Sequence, residues 1–199
     1  MKRIIFAFVV SIAFLLSLSA VDSATGIGAN VFFQGQGIFQ STFSECTNLA
    51  SQFGGQYASE RCGMCAQLNV YRQRHGRPPL RIHPFLMRTA QWWSEVQAFH
   101  GEGGHPEAVN QRYLKYYKSA VRRSGLFCKS NQNSGTTPTT LGIRSASTGE
   151  ISAWAQSSGH NQNQLGRWAF MGCGLATGKC EPSLSKYRSC YYSTMDFGG

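Results

Sequence analysis

Two runs near the end of the chain, Trp168-Ala-Phe-Met-Gly-Cys-Gly-Leu-Ala176 and Tyr187-Arg-Ser-Cys-Tyr-Tyr-Ser-Thr-Met-Asp-Phe197, decide how the rest is read. Both are rich in residues that favour strands, and a turn-rich connection separates them, so they are expected to pair as an antiparallel hairpin. Upstream, the apolar period changes from strand to helix. From Met64 to His75, Leu68 and Tyr71 fall on one helical face, and Gly76, Pro78 and Pro79 stop the element. A second helix is expected from about Pro84 to Phe99, where Leu86, Ala90, Trp93 and Val96 or Gln97 keep the rhythm until Gly101, Gly103 and Gly104 break it. A third is expected from Pro106 to about Arg123, with Tyr113, Tyr117 and Val121 on one side. The segment Cys128 to Ser145 reads as a long loop with a short edge strand around Thr139 to Ile143, and Thr148 is placed to cap a last helix holding Ile151, Trp154 and Ala155. Helices first and a hairpin last make an α+β protein, a small antiparallel sheet covered by helices. No internal repeat is present.

The compartment is read from the other end. Lys2 and Arg3 precede an apolar run, Ile4 to Leu18, long enough for a signal-peptide core and short for a membrane span. Residues 1–20 are therefore expected to be a secretory signal cleaved near Ala20, and no second segment of spanning length follows, so no integral membrane form is expected. Residues 21–60, rich in Gly, Ser and Gln, read as a poorly ordered leader tethered by Cys46, with a single domain over 61–199. All seven cysteines, Cys46, Cys62, Cys65, Cys128, Cys173, Cys180 and Cys190, follow the cleavage point, where thiols oxidise and disulfides persist. Cys62-x-x-Cys65 lacks the preceding strand of a thioredoxin-like unit, so bridging is favoured over redox chemistry. The odd count leaves one thiol unpaired; a monomer is expected, and that thiol admits a disulfide-linked dimer or a cross-linked matrix.

Lysine and arginine number 19 against 9 acids, a formal net charge of +10. The basic residues are scattered, densest at Arg72, Arg74, Arg77 and Arg81 and at Arg122 and Arg123, with no basic block and no nucleic-acid motif, so a nucleic-acid partner is excluded. Loose attraction to anionic glycans or membrane surfaces, and solubility, account for the charge. Trp92, Trp93, Tyr116 and Tyr117 read as core and surface positions of helices rather than as a carbohydrate face.

Several stretches resemble the CAP superfamily, which includes cysteine-rich secretory proteins, antigen-5 proteins and pathogenesis-related class 1 proteins. Leu68-Asn69-Val70-Tyr71-Arg72, His75-Gly76 and Pro78-Pro79-Leu80 are similar to its opening helix and N-x-x-R-x-x-h-G-x-P-P-L run. Leu86, Ala90-Gln91 and Trp93-Ser94-Glu95 resemble its second helix. Trp154 with Ser157-Ser158-Gly159-His160 resembles its W-x-x-S-x-G-H segment, and Gly172-Cys173-Gly174 and Cys190-Tyr191-Tyr192 its closing strands. The resemblance covers about residues 62 to 199. It implies an αβα sandwich and an exported, compact, protease-resistant domain.

It also implies a central cleft, commonly lined in relatives by two histidines and two glutamates. His105 and His160 fall at the histidine positions, but the position of the family's E-N pair reads Gln132-Asn133 and the second acidic position is Ser157. Glu150 is the nearest remaining acid. Two imidazoles alone are a poor zinc site, since a stable one takes about four ligands; no cofactor is required, and Zn²⁺ is admitted only at His105 and His160. His75, His83 and His100 read as surface or helix-end residues. No catalytic residue is assigned, because no G-x-S-x-G elbow exists and the spacing of Ser157, Ser158 and His160 does not by itself join hydroxyl to imidazole. The leading expectation is a non-enzymatic extracellular protein that binds a protein, glycan, lipid or sterol. The alternative is a metal-assisted hydrolase on His105 and His160, which requires Glu150 to point into the cleft.

For the cysteines, a turn centred near Lys179 to Ser183 would set Cys173 beside Cys190, and the resemblance implies the same G-C-G to C-x-Y bridge. Cys180 is then free to clamp Cys128, and Cys46 pairs with Cys62 or Cys65, leaving the other as the odd thiol.

Overall fold

The computed structural model describes residues 26–105 and 130–199. The expected signal segment with its cleavage point, the expected helix from Pro106 to Arg123, and Cys128 lie outside the described residues. Gly35–Gly199 forms one compact unit; the described part of Met1–Gln34 is helix.

In chain order the elements are α1 (Gly26–Asn48), α2 (Ala50–Phe53), α3 (Ala58–Arg74), β1 (Arg81–Ile82), α4 (Pro84–His100), β2 (Ser130–Pro138), α5 (Ile143–Ala146), α6 (Thr148–Ala155), α7 (Ser158–Gln164), β3 (Phe170–Gly178) and β4 (Cys190–Gly198), with short 3₁₀ turns at Thr139–Leu141 and Pro182–Leu184. The sheet order is β1-β3-β4-β2. α4 lies on one face, and α3, α6 and α7 lie on the other, which is the αβα sandwich of an α+β domain.

The expected hairpin forms: β3 and β4 pair antiparallel. The sheet is nevertheless mixed rather than purely antiparallel, because β1 runs parallel to β3, pairing Arg81 with Phe170 and Ile82 with Met171. A two-residue strand has no period to read; it forms because the prolines before it hold the chain extended along the edge of β3. The third long strand lies at Ser130–Pro138, upstream of the expected Thr139 to Ile143, which instead holds a 3₁₀ turn and the start of α5. Its polar sequence, Ser-Asn-Gln-Asn-Ser-Gly-Thr-Thr-Pro, hides it from any apolar alternation; its pairing with β4 along the whole length defines it.

The segment expected as an irregular leader is helical in its described part. Its composition gives weak helix propensity, and contacts with α3 override it. Thr42 and Cys46, four apart on one face of α1, are buried, the first accepting from Asn69 Nδ2 at 3.0 Å and the second joined to Cys62.

Why α4 sits so close to the sheet is visible in the G-C-G stretch. Gly172, Gly174, Ala176 and Gly178 alternate along β3 on the face toward α4, and a Cβ at any of the three glycines would overlap backbone atoms of Leu86, Ala90 or Ala98. Only a side chain of hydrogen lets the helix backbone touch the strand. On the opposite face Met171, Cys173, Met195 and Phe197 meet Leu68, Ile151 and Trp154 in the main core. Buried Arg61 ties the layers together, donating to the carbonyls of Cys173 (2.8 Å), Gly54 (2.7 Å) and Met87 (2.7 Å). Burial pushes its guanidinium down to about 10, Glu95 acting in the opposite direction.

The disulfides are Cys46–Cys62, Cys65–Cys173 and Cys180–Cys190. The pairing of Cys46 with Cys62 is one of the two expected alternatives, but Cys65 is not the odd thiol. The expected Cys173–Cys190 bridge is corrected by strand register: Cys173 stands opposite Met195, and Cys190 opposite Gly178, at the other end of the hairpin. Cys173 also faces α3, where Cys65 waits, whereas Cys190 faces the α4 side. The expected Cys128–Cys180 clamp falls with it, since Cys180 is bonded to Cys190 across the hairpin connection. With six of seven cysteines paired, Cys128 is the remaining one by count.

Candidate functional site

The sheet edge at β2 is polar on both faces, and this is where the two expected site histidines meet. His105 lies just past the glycine-rich end of α4, and His160 lies in α7 on the other side of the sheet; their ring centroids are 6.1 Å apart.

His105 is positioned by residues of α4. Trp93 Nε1 donates to the carbonyl of Gly104 at 2.9 Å, and Gln97 Oε1 accepts from the Gly104 N–H at 3.0 Å. Gln97 Oε1 also accepts from the Ser134 hydroxyl at 2.7 Å, so β2, α4 and the loop before His105 share one fully buried amide. The ring itself is held by Gln132: His105 Nδ1 lies 3.2 Å from Gln132 Oε1. Gln132 Nε2 donates to Asp196 Oδ1 at 2.8 Å, and the Thr89 hydroxyl donates to Asp196 Oδ2 at 2.7 Å. This chain sets the histidine's proton. Because the amide NH₂ of Gln132 is spent on Asp196, its carbonyl is the end turned to His105, and the matching donor is Nδ1–H. The lone pair of His105 is then on Nε2.

His160 is held through its backbone, its carbonyl accepting from Asn133 Nδ2 at 3.0 Å, while its ring lies 6.3 Å from the Trp154 ring centroid. Asn163 pins the same helix to β2 through bonds to Asn133 Oδ1 (2.9 Å) and from Asn131 Nδ2 (2.8 Å). Desolvation, with the electrostatic influence of the His105 ring as a smaller cause, lowers the pKa of His160 below its ordinary 6.5.

The remaining expected site residues do not join this pair. Glu150, in α6, is buried over Gly135 of β2, and its carboxyl accepts from the Thr137 hydroxyl. Burial raises its pKa above the ordinary 4.5, and hydrogen bonds from Thr137 and Ser193 oppose that rise. Neither histidine is a hydrogen-bond partner of Glu150. Ser157 is exposed at the N-terminal boundary of α7, and its side chain makes no capping bond. Thr148, expected as the cap of α6, instead turns its hydroxyl back to the carbonyl of Arg144. Trp93 is buried and Trp92 half-buried, as core and surface positions of α4; Tyr116 and Tyr117 lie outside the described residues. His83 has a use of its own, accepting from the Phe85 N–H at the start of α4.

Among the described residues no group of three His, Cys, Asp or Glu side chains is arranged to hold a metal ion. Two imidazoles backed by a neutral amide do not make a stable zinc centre, for which carboxylate or thiolate ligands would be needed as well. Asp196, a fully buried acid, was missed by the sequence reading, as were Thr89, Gln97 and Asn163. One signal was present: an aspartate between Met195 and Phe197 in a strand otherwise fit for burial must find donors inside.

A family model described as the cysteine-rich secretory protein family, CAP, matches residues 66–197. No curated protein matches the chain. The matched span begins inside α3 and ends inside β4, so it holds both histidines, the Gln132–Asp196 pair and two of the three disulfides whole or in part.

Proposed function

Because the chain belongs to the cysteine-rich secretory protein family, we propose that it is exported and acts outside the cell by binding, without catalysis, its partner being an extracellular protein, glycan, or lipid such as a sterol. Three disulfides fit an oxidising compartment, and among the described residues no helix is long and apolar enough to cross a membrane. In this reading residues 1–20 are the export signal, and N-terminal sequencing of secreted protein should begin near Val21.

The observation that carries the absence of catalysis is the placement of Glu150. A metal-assisted hydrolase needs an acid beside His105 and His160 to complete the ligand set or to move a proton. Glu150 is committed to Thr137 over Gly135 instead. The histidine pair is fixed in place by Gln132, Asn133 and Gln97, which suits recognition by a preorganised surface.

Calorimetric titration with Zn²⁺ separates the two readings. No uptake at micromolar metal is expected; uptake abolished by His160→Ala would establish the metal reading. A panel of lipids, glycans and extracellular proteins with no saturable partner for the mature protein would refute binding as the mode of action.

A further inference from the structure

Away from the histidines, α7 presents a second face. Ser158, Asn161, Gln162 and Leu165 follow the i, i+3, i+4, i+7 spacing, while His160 and Asn163 turn toward β2. That outer face forms one wall of a surface cavity of about 440 Å³ that Arg77 and Arg167 also line. The volume falls within the range of ligand sites, about 300–1,000 Å³. No acidic residue lines it.

The two arginines are not brought together by chance. Arg72, 1% exposed, donates to the carbonyls of Pro78 (3.0 Å), Gln164 (2.6 Å) and Gly166 (3.0 Å). Those bonds staple the loop after α3, which carries Arg77, to the turn after α7, which carries Arg167. They also leave the buried Arg72 charge satisfied by carbonyl dipoles rather than by a carboxylate. Burial first, and then the charge of Arg77, lower Arg72 to about 10. Beside an acid-free cavity lined by Arg77 and Arg167 there is thus a third, buried positive charge, and an oxyanion bound there would offset all three. Guanidinium forks match tetrahedral oxyanions by paired hydrogen bonds, and the Ser158 hydroxyl and Gln162 amide add neutral donors and acceptors for a hydroxylated sugar ring.

We infer that this cavity, between the loop after α3 and the outer face of α7, binds a sulfate-bearing unit of an extracellular sulfated glycan. The inference singles out glycan among the partner classes proposed above, at a surface apart from the histidine pair.

The test is calorimetry of the mature protein with a heparin-derived hexasaccharide, its desulfated counterpart, and vesicles containing anionic phospholipid. Arg77→Gln with Arg167→Gln is compared with Lys186→Gln and Arg188→Gln, which remove the same charge on the connection between β3 and β4. The expected result is saturable binding of the sulfated oligosaccharide alone, weakened at least about tenfold by the first pair and nearly unchanged by the second, since each lost charge-assisted contact is individually large. Equal weakening by both pairs would mean long-range attraction to a strongly basic protein and would overturn the site. So would undiminished binding in the first pair, no binding of the hexasaccharide, or a dependence on Arg77 and Arg167 seen with vesicles instead. Any of these removes the sulfated-glycan site alone; the binding reading itself fails only on the wider panel.

Discussion

Replacing the disulfides one at a time with alanine pairs should destabilise the domain in an order set by the chain each one closes. Cys65–Cys173 spans 108 residues, Cys46–Cys62 spans 16 and Cys180–Cys190 spans 10. Neither of the shorter loops lies inside the long one, so their effects on the unfolded chain are close to independent. The unfolded-state entropy of closure then amounts to about 4.8, about 3.1 and about 2.7 kcal/mol at 25 °C. Both cysteines of the long bridge are fully buried in the main core, the Cys65 sulfur beside that of Met87, so removing it adds a packing loss. Urea unfolding of the three double variants, with slopes compared to confirm two-state behaviour, measures the order. Loss of less stability from Cys65→Ala/Cys173→Ala than from Cys180→Ala/Cys190→Ala would refute the reasoning, and so would a non-reducing peptide map showing Cys173 bonded to Cys190.

The histidine chain gives a second prediction: Gln132→Leu strips Asp196 of a donor and should cost about 1–3 kcal/mol, while nitrogen NMR of the imidazoles should show His105 leaving the Nδ1–H form that the wild type holds. Stability should also depend on pH with two opposing limbs. His83 and His160 have pKa values lowered by burial below 6.5, so the unfolded chain takes up protons first; their contribution is complete above about pH 6.5 and is lost as pH falls toward the folded values. Glu150 is raised above 4.5, so its contribution is complete below that pH and is lost as pH rises through its folded value. Urea midpoints from pH 4 to 8 should therefore fall less on acidification in His160→Gln and less on alkalinisation in Glu150→Gln; curves parallel to wild type would contradict both assignments.

Sequence alone determined the elements whose periods are long and apolar. The helix from Pro84, the closing hairpin and the positions of His105 and His160 were legible, because helical spacing, β-branched and aromatic runs, and local motifs are properties of neighbouring residues. The tertiary structure decided what depends on residues far apart. β2 is a strand because β4 lies beside it, not because Ser-Asn-Gln-Asn-Ser has any strand pattern of its own. α1 is a helix because α3 and the Cys46–Cys62 bridge hold its buried side. The bridges of Cys173 and Cys190 followed from a register centred five positions away, in residue-number sum, from the one a short turn would set, and a strand's face and register are fixed by packing rather than by its turn alone. Glu150 and Asp196 exchanged their expected importance for the same reason. The acid near His160 in sequence points to Thr137, while the acid that reaches His105 through Gln132 lies on β4, 91 residues further on, because a side chain's partners are chosen by the sheet face it occupies and not by its distance along the chain.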